Sequence, residues 1–418
     1  MKFIHTADIH LDSPLTGLAA YRDAPAEILR TATRDAFRNL IAAAIDEAVD
    51  FVIIAGDLYD GTWRDYNTGY FFAREMGRLH AAGIPVFLLY GNHDAESEMT
   101  RRLALPPNVR AFDTRKPSTF RIEHLRVALH GRSFRDAATT ENLAVGYPDR
   151  IPGWLNIGVL HTALEGNAEH ASYAPCSLAQ LLAKGYDYWA LGHVHDYAEV
   201  CREPWVVYPG NTQGRHIRET GARGAVLVSA TETGIVAVER LFTDVLRWHR
   251  LTVDLATASN LDAAVHAIAG RLQALLDETA DGKPLALRVV LQGRSTAHGE
   301  LFGKEARLRA ETLALAAALA GERIWIEKVR IETTPAHDPE TIRARADAIA
   351  DLQALLDEAP GDREFLDSLT TELRQLVDRA PHELAACLPE FAAIRSGDVS
   401  PLVAAVAPGL IAYLMQAE

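Results

Sequence analysis

The hydrophobic and polar positions in the first half of the chain follow two different periods. Short, nearly continuous apolar runs such as Phe51–Ala55 are typical of buried strands. Ala26–Glu47 and Tyr66–Ala82 instead have the 3.6-residue spacing of amphipathic helices. Four more strands are predicted at Lys2–Thr6, Pro85–Leu89, Leu155–Val159 and Tyr188–Leu191. This alternation predicts an α/β layered domain, which places its polar chemistry at the carboxyl ends of the strands.

The pattern changes near Trp248. Three strand-like runs alternate there with two helices that are rich in Ala and Leu. In chain order these elements are Arg250–Asp254, Asn260–Glu278, Pro284–Gln292, Glu305–Ala320 and Ile324–Glu332. They predict a second, small α/β domain.

After residue 334 the pattern becomes purely helical. The predicted helices are Asp338–Glu358, Asp362–Asp378, Pro381–Cys387 and Pro401–Gln416. Pro408-Gly409 is expected to break or kink the last of them. That helix is apolar for a terminus, so it either packs on its own domain or docks a partner. We therefore predict three parts, at residues 1–245, 246–334 and 335–418.

The composition is that of an ordinary globular protein. The chain has 418 residues, of which 48% are hydrophobic and 23% charged, which suits two or three domains. No stretch approaches the ~18 consecutive apolar residues of a membrane helix, and the first residues lack the apolar core of a signal peptide. We expect a cytoplasmic protein that does not associate with membranes.

Polar loops directly follow five of the predicted strands. They are Asp8-Ile9-His10, Gly56-Asp57, Gly91-Asn92-His93-Asp94, His161 and Gly192-His193-Val194-His195. Each has an ordinary structural interpretation, because Asp, Asn and Gly are common turn formers and a lone histidine often lies in a core. Their joint occurrence at the strand ends of one α/β unit favours a metal site instead.

The candidate ligands are chemically consistent. There are two aspartates, one asparagine and four histidines: Asp8, Asp57, Asn92, His10, His161, His193 and His195. Seven ligands are too many for one tetrahedral zinc ion, and a set without sulfur favours Mn, Fe or Zn. Two ions about 3.5–4 Å apart suit in-line displacement at phosphorus.

The ordered series of loops resembles the calcineurin-like metallophosphoesterase superfamily over roughly residues 1–230. The resemblance implies a layered sheet sandwich with flanking helices. It also implies two divalent metal ions, for which Mn²⁺ is the first choice and Zn²⁺ or Fe²⁺ are the alternatives. It also implies the ligand sets: Asp8, His10 and His195 for the first metal, Asn92, His161 and His193 for the second, and Asp57 as the bridge.

The same resemblance implies two catalytic residues. His93 would lie beside the metals without binding them, and would donate a proton to the leaving oxygen or stabilise charge in the transition state. Asp94 would orient His93 or a neighbouring ligand. Every position of the motif series is present, so we expect an active enzyme.

Further motifs narrow the resemblance to one branch of the superfamily. Phe3–Asp12, Gly56–Asp60 and Tyr208–Arg215 resemble the SbcD-type DNA repair nucleases, and Asp12–Leu18 resembles their YhaO-like bacterial subgroup. This implies a DNA exonuclease with some single-strand endonuclease activity and a small α/β capping domain after the catalytic one. It further implies a coiled-coil, SbcC-like ATPase as partner. A homodimer stays open.

The charge distribution bears on the DNA hypothesis. Forty-two basic against 56 acidic residues give −14, which at first argues against nucleic acid. Residues 1–250 contribute only −4, however, and residues 101–135 carry nine basic and two acidic side chains, a balance of +7. The predicted DNA or phosphate contacts are Arg101, Arg102, Arg215 and Arg218. The alternative is a solvated basic face.

Two other functions remain open at this point. One is a phosphodiesterase or phosphatase for small-molecule or protein phosphoesters, which would use the same residues in a narrower pocket. The other is a non-catalytic scaffold subunit that keeps the metals for structure. The intact His93 argues against the scaffold.

Overall fold

The computed structural model describes residues 1–18, 26–60, 66–96, 104–164, 173–232, 234–279, 281–336, 338–345, 347–379 and 389–416. These residues form two compact units, residues 1–249 with 283–286 and residues 250–282 with 287–418. The division into 1–245, 246–334 and 335–418 stays a prediction. None of the helices in the described ranges has the length and apolar character that crossing a membrane requires.

The five strands and two helices predicted in the first half of the chain lie close to their predicted positions, and the described residues form seven further strands and two short helices that were not predicted. Its strands are β1 (Lys2–Thr6), β2 (Phe51–Ala55), β3 (Val86–Leu89), β4 (Val109–Ala111), β5 (Ser118–Ile122), β6 (Val127–Gly131), β7 (Leu155–His161), β8 (Tyr188–Gly192), β9 (Ala198–Arg202), β10 (Trp205–Tyr208), β11 (Gly224–Thr231) and β12 (Gly234–Phe242). Its helices are α1 (Ala26–Asp46), α2 (Tyr66–Ala81), α3 (Asn92–Glu96) and α4 (Leu178–Ala183).

Among these described strands there are two six-stranded sheets. The order in the first is β12-β11-β1-β2-β3-β4, and in the second it is β5-β6-β7-β8-β10-β9. The central strands β1 to β4 run parallel, and so do β6, β7, β8 and β10. Every residue of β2 is buried, as expected for a parallel strand that is covered on both faces.

The two sheets pack face to face. One buried cluster contains inward-facing residues of both sheets, such as Phe3, Phe51 and Phe87 of the first and Val159 and Tyr188 of the second. A second cluster joins the outer face of the first sheet to α1 and α2. The predicted α/β layered sandwich with flanking helices is therefore confirmed.

The second unit begins with the predicted alternation of strands and helices. Its elements are β13 (Arg247–Asp254), α5 (Leu261–Glu278), β14 (Leu285–Ser295), α6 (His298–Leu301), α7 (Glu305–Ala320) and β15 (Ile324–Pro335). The three strands form one sheet in chain order. Asn260 caps α5, because its side-chain oxygen accepts a hydrogen bond from the Ala263 amide at 2.8 Å.

The C-terminal part is helical, as predicted, with two differences in detail. Its helices are α8 (Pro339–Arg343), α9 (Ala348–Glu358), α10 (Arg363–Val377), α11 (Pro389–Ser396) and α12 (Ser400–Gln416). The single helix predicted at 338–358 is two helices, and α11 was not predicted. The helix predicted at Pro381–Cys387 lies outside the described residues.

Of the break or kink predicted at Pro408-Gly409, the break does not occur. Pro408 lies inside α12. A Cβ atom at Gly409 would come within 2.3 Å of the Phe302 ring, so this glycine permits close packing of α12 rather than a turn. Val403 and Ile411 are buried on either side of the proline. Packing thus outweighs the hydrogen bond that proline cannot make.

Candidate metal centre

Five loops from the two sheets meet at one edge of the first unit. The parallel register aligns the carboxyl ends of β1, β2 and β3, and β7 ends at His161, which pairs with Gly192 at the end of β8. The sheets are joined at this edge, where the Asp8 carboxylate accepts hydrogen bonds from the His193 amide at 3.0 and 3.1 Å. The structure therefore brings together the five polar loops that the sequence singled out.

A first cluster consists of Asp8, His10 and His195. One ligand atom from each lies within 4.8 Å of the others. Asp8 and His10 are fully buried, and His195 is partly exposed. The Nε2 atoms of His10 and His195 lie 3.3 Å apart. These are the three residues predicted to hold the first metal.

A second cluster consists of Asp57, His161 and His193, again with ligand atoms within 4.8 Å of one another. The side-chain oxygen of Asn92 lies 3.0 Å from Nε2 of His161. Oδ2 of Asp57 lies 3.3 Å from Nε2 of His161 and 4.0 Å from Nε2 of His10. Asp57 therefore stands between the two clusters, where a bridging ligand has to be.

The backbone at this edge is unusual. Asp8, His10, Asp57 and His193 all have positive φ angles, of 50°, 45°, 51° and 100°. Residues other than glycine rarely adopt this conformation, and it concentrates at functional sites because the surrounding structure must enforce it. Hydrogen bonds between the loops enforce it here, since the His10 amide donates to the Asp57 carbonyl at 3.0 Å.

The electrostatics of the first cluster suit a bound cation. Burial raises the pKa of Asp8 to about 6. A cation bound beside this carboxyl group would favour its ionised form. Burial also lowers the pKa of His10 to about 3, which leaves the neutral imidazole that binds metals. Two carboxylates, an amide oxygen and four imidazoles thus fit a pair of divalent ions.

Two carboxylates that sequence reasoning missed hold histidines of the first cluster. Oδ1 of Asp60 lies 3.4 Å from Nδ1 of His10, and Oε1 of Glu219 lies 2.7 Å from Nδ1 of His195. His161 of the second cluster instead donates from Nδ1 to the Ala55 carbonyl at 2.9 Å. In each case Nε2 is left to face the cluster.

The signals for these two carboxylates were weak. Asp60 ends the Gly56–Asp60 stretch that carried part of the family resemblance, so its position was visible although its partner was not. Glu219 lies 24 residues after His195, and no spacing rule links the two.

His93 lies at the accessible side of the clusters. Its side chain is 37% exposed, and its ring centroid lies 4.9 Å from that of His10. Its backbone amide donates to Oδ1 of Asp57 at 3.0 Å, which ties its position to that carboxylate. Nδ1 of His93 lies 3.6 Å from Oδ1 of Asp60. This is the place predicted for a proton donor beside the metals.

Asp94 is buried, and its carboxylate faces the backbone. It accepts hydrogen bonds from the amides of Leu58 at 3.2 Å, Tyr59 at 3.0 Å and Gly91 at 3.0 Å. Burial raises the pKa of Asp94 to about 7. Asp94 therefore joins the loop that carries Asp57 to the loop that carries Asn92.

The predicted phosphate contacts differ in position. Arg215 is at the centre, with Nη2 lying 3.3 Å from Nδ1 of His195 and Nη1 donating to Ser13 at 3.3 Å. Arg218 is exposed four residues after Gly214. Arg101 and Arg102 lie outside the described residues.

The described part of the basic run at 101–135 makes contacts within the fold. Arg110 lies over the Phe120 ring at 4.4 Å and Arg121 over the Trp154 ring at 5.9 Å. Arg121 pairs with Ala128 near the start of β6, away from the carboxyl ends of the parallel strands. This run is therefore not a continuous strip beside the candidate metal centre.

Comparison with known families gives two matches. The family of calcineurin-like phosphoesterases matches residues 1–197, and the middle domain of the metallophosphoesterase YhaO matches residues 248–334.

Three relatives illustrate the range of similarity. The uncharacterized metallophosphoesterase YhaO of Bacillus subtilis is 36% identical over 297 residues, which cover 70% of this chain and 72% of that protein. The DNA double-strand break repair protein Mre11 of Thermoplasma acidophilum is 27% identical, over 60% of this chain and 68% of that protein. The Mre11 protein of Sulfurisphaera tokodaii is 25% identical, over 70% of this chain and 74% of that protein.

Proposed function

This chain belongs to the YhaO-like family of calcineurin-like metallophosphoesterases, and from that premise we propose that it cleaves phosphodiester bonds in DNA. Membership confirms the resemblance drawn from the motif series and implies a phosphoester hydrolase that uses divalent metal ions. The finer proposal is an exonuclease with endonuclease activity on single strands, which acts in DNA repair in the cytoplasm.

The position of Asp57 between two clusters carries the proposal. Its Oδ2 is within 4.0 Å of one histidine from each cluster, His161 and His10. Two divalent ions bound there, Mn²⁺ in our proposal, would stabilise both the attacking and the leaving oxygen of an in-line displacement at phosphorus.

Residues of the chain supply the remaining chemistry. His93 is exposed on the substrate side and held by Asp57, so it protonates the leaving oxygen or stabilises the charge that develops on it. Arg215 adds positive charge next to the first cluster, while its Nη2 also donates to Glu219. Exposed Arg218, three residues on, adds positive charge beside the same loop.

Two observations favour DNA as the substrate. Relatives that match more than half of the chain are named DNA double-strand break repair proteins. The positive charges of Arg215, which lies beside His195, and of exposed Arg218 support the same substrate.

A small phosphodiester is the second candidate substrate. Arg110, Arg121 and Arg132 have partners within the fold, in the last case Glu141 at 2.7 Å. Their charge is thus partly used for structure, which weakens the case for an extended DNA track.

A substrate comparison tests the proposal. The purified chain with Mn²⁺ is incubated with linear duplex DNA, single-stranded DNA, a DNA hairpin and bis(p-nitrophenyl) phosphate. We expect shortening of linear DNA and cleavage of the hairpin, both of which a chelator and His93→Gln abolish. Hydrolysis of the small diester with all DNA left intact would refute the nuclease and support the second candidate.

We also propose an SbcC-like coiled-coil ATPase as partner, on the strength of the motif resemblance. The helical segment from α8 to α12 is the proposed docking region. Co-expression of the chain with the candidate ATPase, followed by size-exclusion chromatography, tests this. Co-elution that is lost when residues 335–418 are removed is expected, and separate elution of the two full-length proteins contradicts it. The same column gives the mass of the chain alone and so tests a homodimer.

A further inference from the structure

Glu219 is a buried carboxylate at the first cluster. Its side chain is 5% exposed, and Oε1 accepts a hydrogen bond from Nδ1 of His195 at 2.7 Å. A carboxylate in this position is costly unless it is paired, so the fold has to gain something from placing it there.

The Glu219 carboxylate is itself held from several sides. Oε2 accepts from the Arg215 amide at 2.7 Å and from Nδ2 of Asn211 at 2.9 Å. Oε1 also accepts from Nη2 of Arg215 at 3.1 Å. With both oxygens engaged, the carboxylate is fixed in the orientation that meets His195.

The loop that carries Glu219 is closed tightly enough to keep the carboxylate directed at His195. The Glu219 amide donates to the His216 carbonyl at 2.9 Å. A Cβ atom at Gly214 would come within 2.6 Å of the Glu219 carbonyl oxygen, so the loop can close only with glycine at that position. The turn thus places the Glu219 carboxylate against Nδ1 of His195.

An anionic acceptor on Nδ1 determines how His195 is protonated. Because the carboxylate accepts from Nδ1, the proton resides there and Nε2 keeps its lone pair. That Nε2 atom is the one that lies 3.3 Å from Nε2 of His10. It therefore faces the first cluster in the form that binds a metal ion.

We propose that Glu219 is a positioning residue that fixes the tautomer and ring orientation of His195 and thereby sets the affinity of the first metal site. This inference rests on the proposed metal centre and adds to it a residue outside the predicted ligand set. Arg215 and Asn211 act through Glu219 in the same way.

Metal binding to Glu219→Gln tests the proposal. Mn²⁺ affinity is measured by calorimetry and by the electron paramagnetic resonance of bound Mn²⁺. We expect the wild type to bind two ions, and the variant to bind one of them about 10- to 100-fold more weakly with the other unchanged. Glu219→Asp, which keeps the charge but shortens the reach, should fall between the two. Unchanged affinity for both ions in Glu219→Gln overturns the proposal.

Glu75→Gln is the matched control. Glu75 is also a buried glutamate paired with arginines, Arg74 at 3.0 Å and Arg78 at 2.7 Å, but it lies on α2. Its substitution should leave both affinities at the wild-type level. A loss equal to that of Glu219→Gln would mean that any buried ion pair has this effect, and would also overturn the proposal.

A measurement on the unsubstituted protein covers the case in which Glu219→Gln does not fold. Zinc-loaded protein labelled with ¹⁵N-histidine is recorded by NMR, and His195 is assigned by difference from His195→Asn. A proton on Nδ1 of His195 is expected, whereas a proton on Nε2 overturns the proposal. Failure of the wild type to bind two ions contradicts the proposed metal centre itself, while two bound ions with no effect of Glu219→Gln contradict only this inference.

Discussion

The two halves of the candidate metal centre hold their histidines in different ways. In the first cluster, side-chain carboxylates do so: Asp60 lies 3.4 Å from His10, and Glu219 lies 2.7 Å from His195. In the second cluster, the backbone holds His161, which donates to the Ala55 carbonyl at 2.9 Å. A charged acceptor raises the basicity of an imidazole more than a neutral carbonyl does.

Packing sharpens this difference. A Cβ atom at Gly56 would lie 2.2 Å from Nδ1 of His161, and one at Gly192 would lie 2.0 Å from the Ala55 carbonyl oxygen. The second cluster is therefore shaped by glycines that let backbone and ring approach closely. The comparison teaches that a carboxylate substitution should change metal affinity with little effect on folding, whereas a glycine substitution should change both.

Asp57→Ala should have the largest effect, because Asp57 serves both clusters. Its Oδ2 lies 3.3 Å from His161 and 4.0 Å from His10, and Oδ1 also accepts from the His93 amide. We expect loss of detectable turnover and loss of both ions, measured by a diester assay and by metal analysis after gel filtration. Retention of one tightly bound ion would show that the clusters are independent and that Asp57 is not a bridge.

His93→Gln should separate chemistry from metal binding. His93 is partly exposed beside the clusters and is not one of the seven predicted ligands, although it lies close to His10 and Asp60. Removal of a general acid lowers turnover by about 10²- to 10⁴-fold. Metal content should stay at two ions per chain because the seven proposed ligands are intact. A parallel loss of metal would instead make His93 a ligand.

The ligand loops could be predicted because strand ends can be read locally. Asp8-Ile9-His10 and Gly192-His193-Val194-His195 each follow an apolar run directly, and the carboxyl ends of parallel strands meet at one edge. The same logic placed Asp57 and His161. It requires only the positions of the strands, which their apolar runs mark clearly.

The carboxylates behind the ligands could not be predicted in this way. Glu219 meets His195 only because the turn from Gly214 closes against the Glu219 carbonyl, which is a tertiary event. The sequence indicated that Arg110 and Arg121 belong to a basic strip that binds phosphate. In the structure they lie over the rings of Phe120 and Trp154 instead. Pro408 indicated a helix break, yet packing keeps α12 continuous. In each case long-range contacts override a local signal.

Gly192→Ala should disturb the second cluster. The added methyl group would lie 2.0 Å from the Ala55 carbonyl oxygen and 2.9 Å from Nδ1 of His161, so the backbone has to shift. Overpacking of this kind lowers the free energy of unfolding by about 1–3 kcal/mol. We expect that loss in urea denaturation, together with weaker binding of one Mn²⁺ ion.

Gly77→Ala is the control for this glycine. Gly77 lies within α2, and a Cβ atom there meets nothing within 4 Å. The free energy of unfolding should rise by about 0.5–1 kcal/mol, since alanine favours helix over glycine, and both metal affinities should stay unchanged. Equal metal binding in Gly192→Ala and Gly77→Ala would remove the distinction between the clusters.

Asp60→Asn should have the smallest effect and is the most delicate test of the comparison. Asp60 is 32% exposed and lies 3.4 Å from Nδ1 of His10, a longer contact than the 2.7 Å between Glu219 and His195. Its carboxylate should therefore support its histidine less, and we expect a loss of affinity near the lower end of the 10- to 100-fold range for one ion. The free energy of unfolding should stay within about 0.5 kcal/mol of the wild type, as for most surface substitutions. Calorimetric titration with Mn²⁺ decides the matter. If Asp60→Asn weakens the same ion as Glu219→Gln, then one ion depends on both carboxylates, whereas weakening of the other ion would assign His10 to the second site.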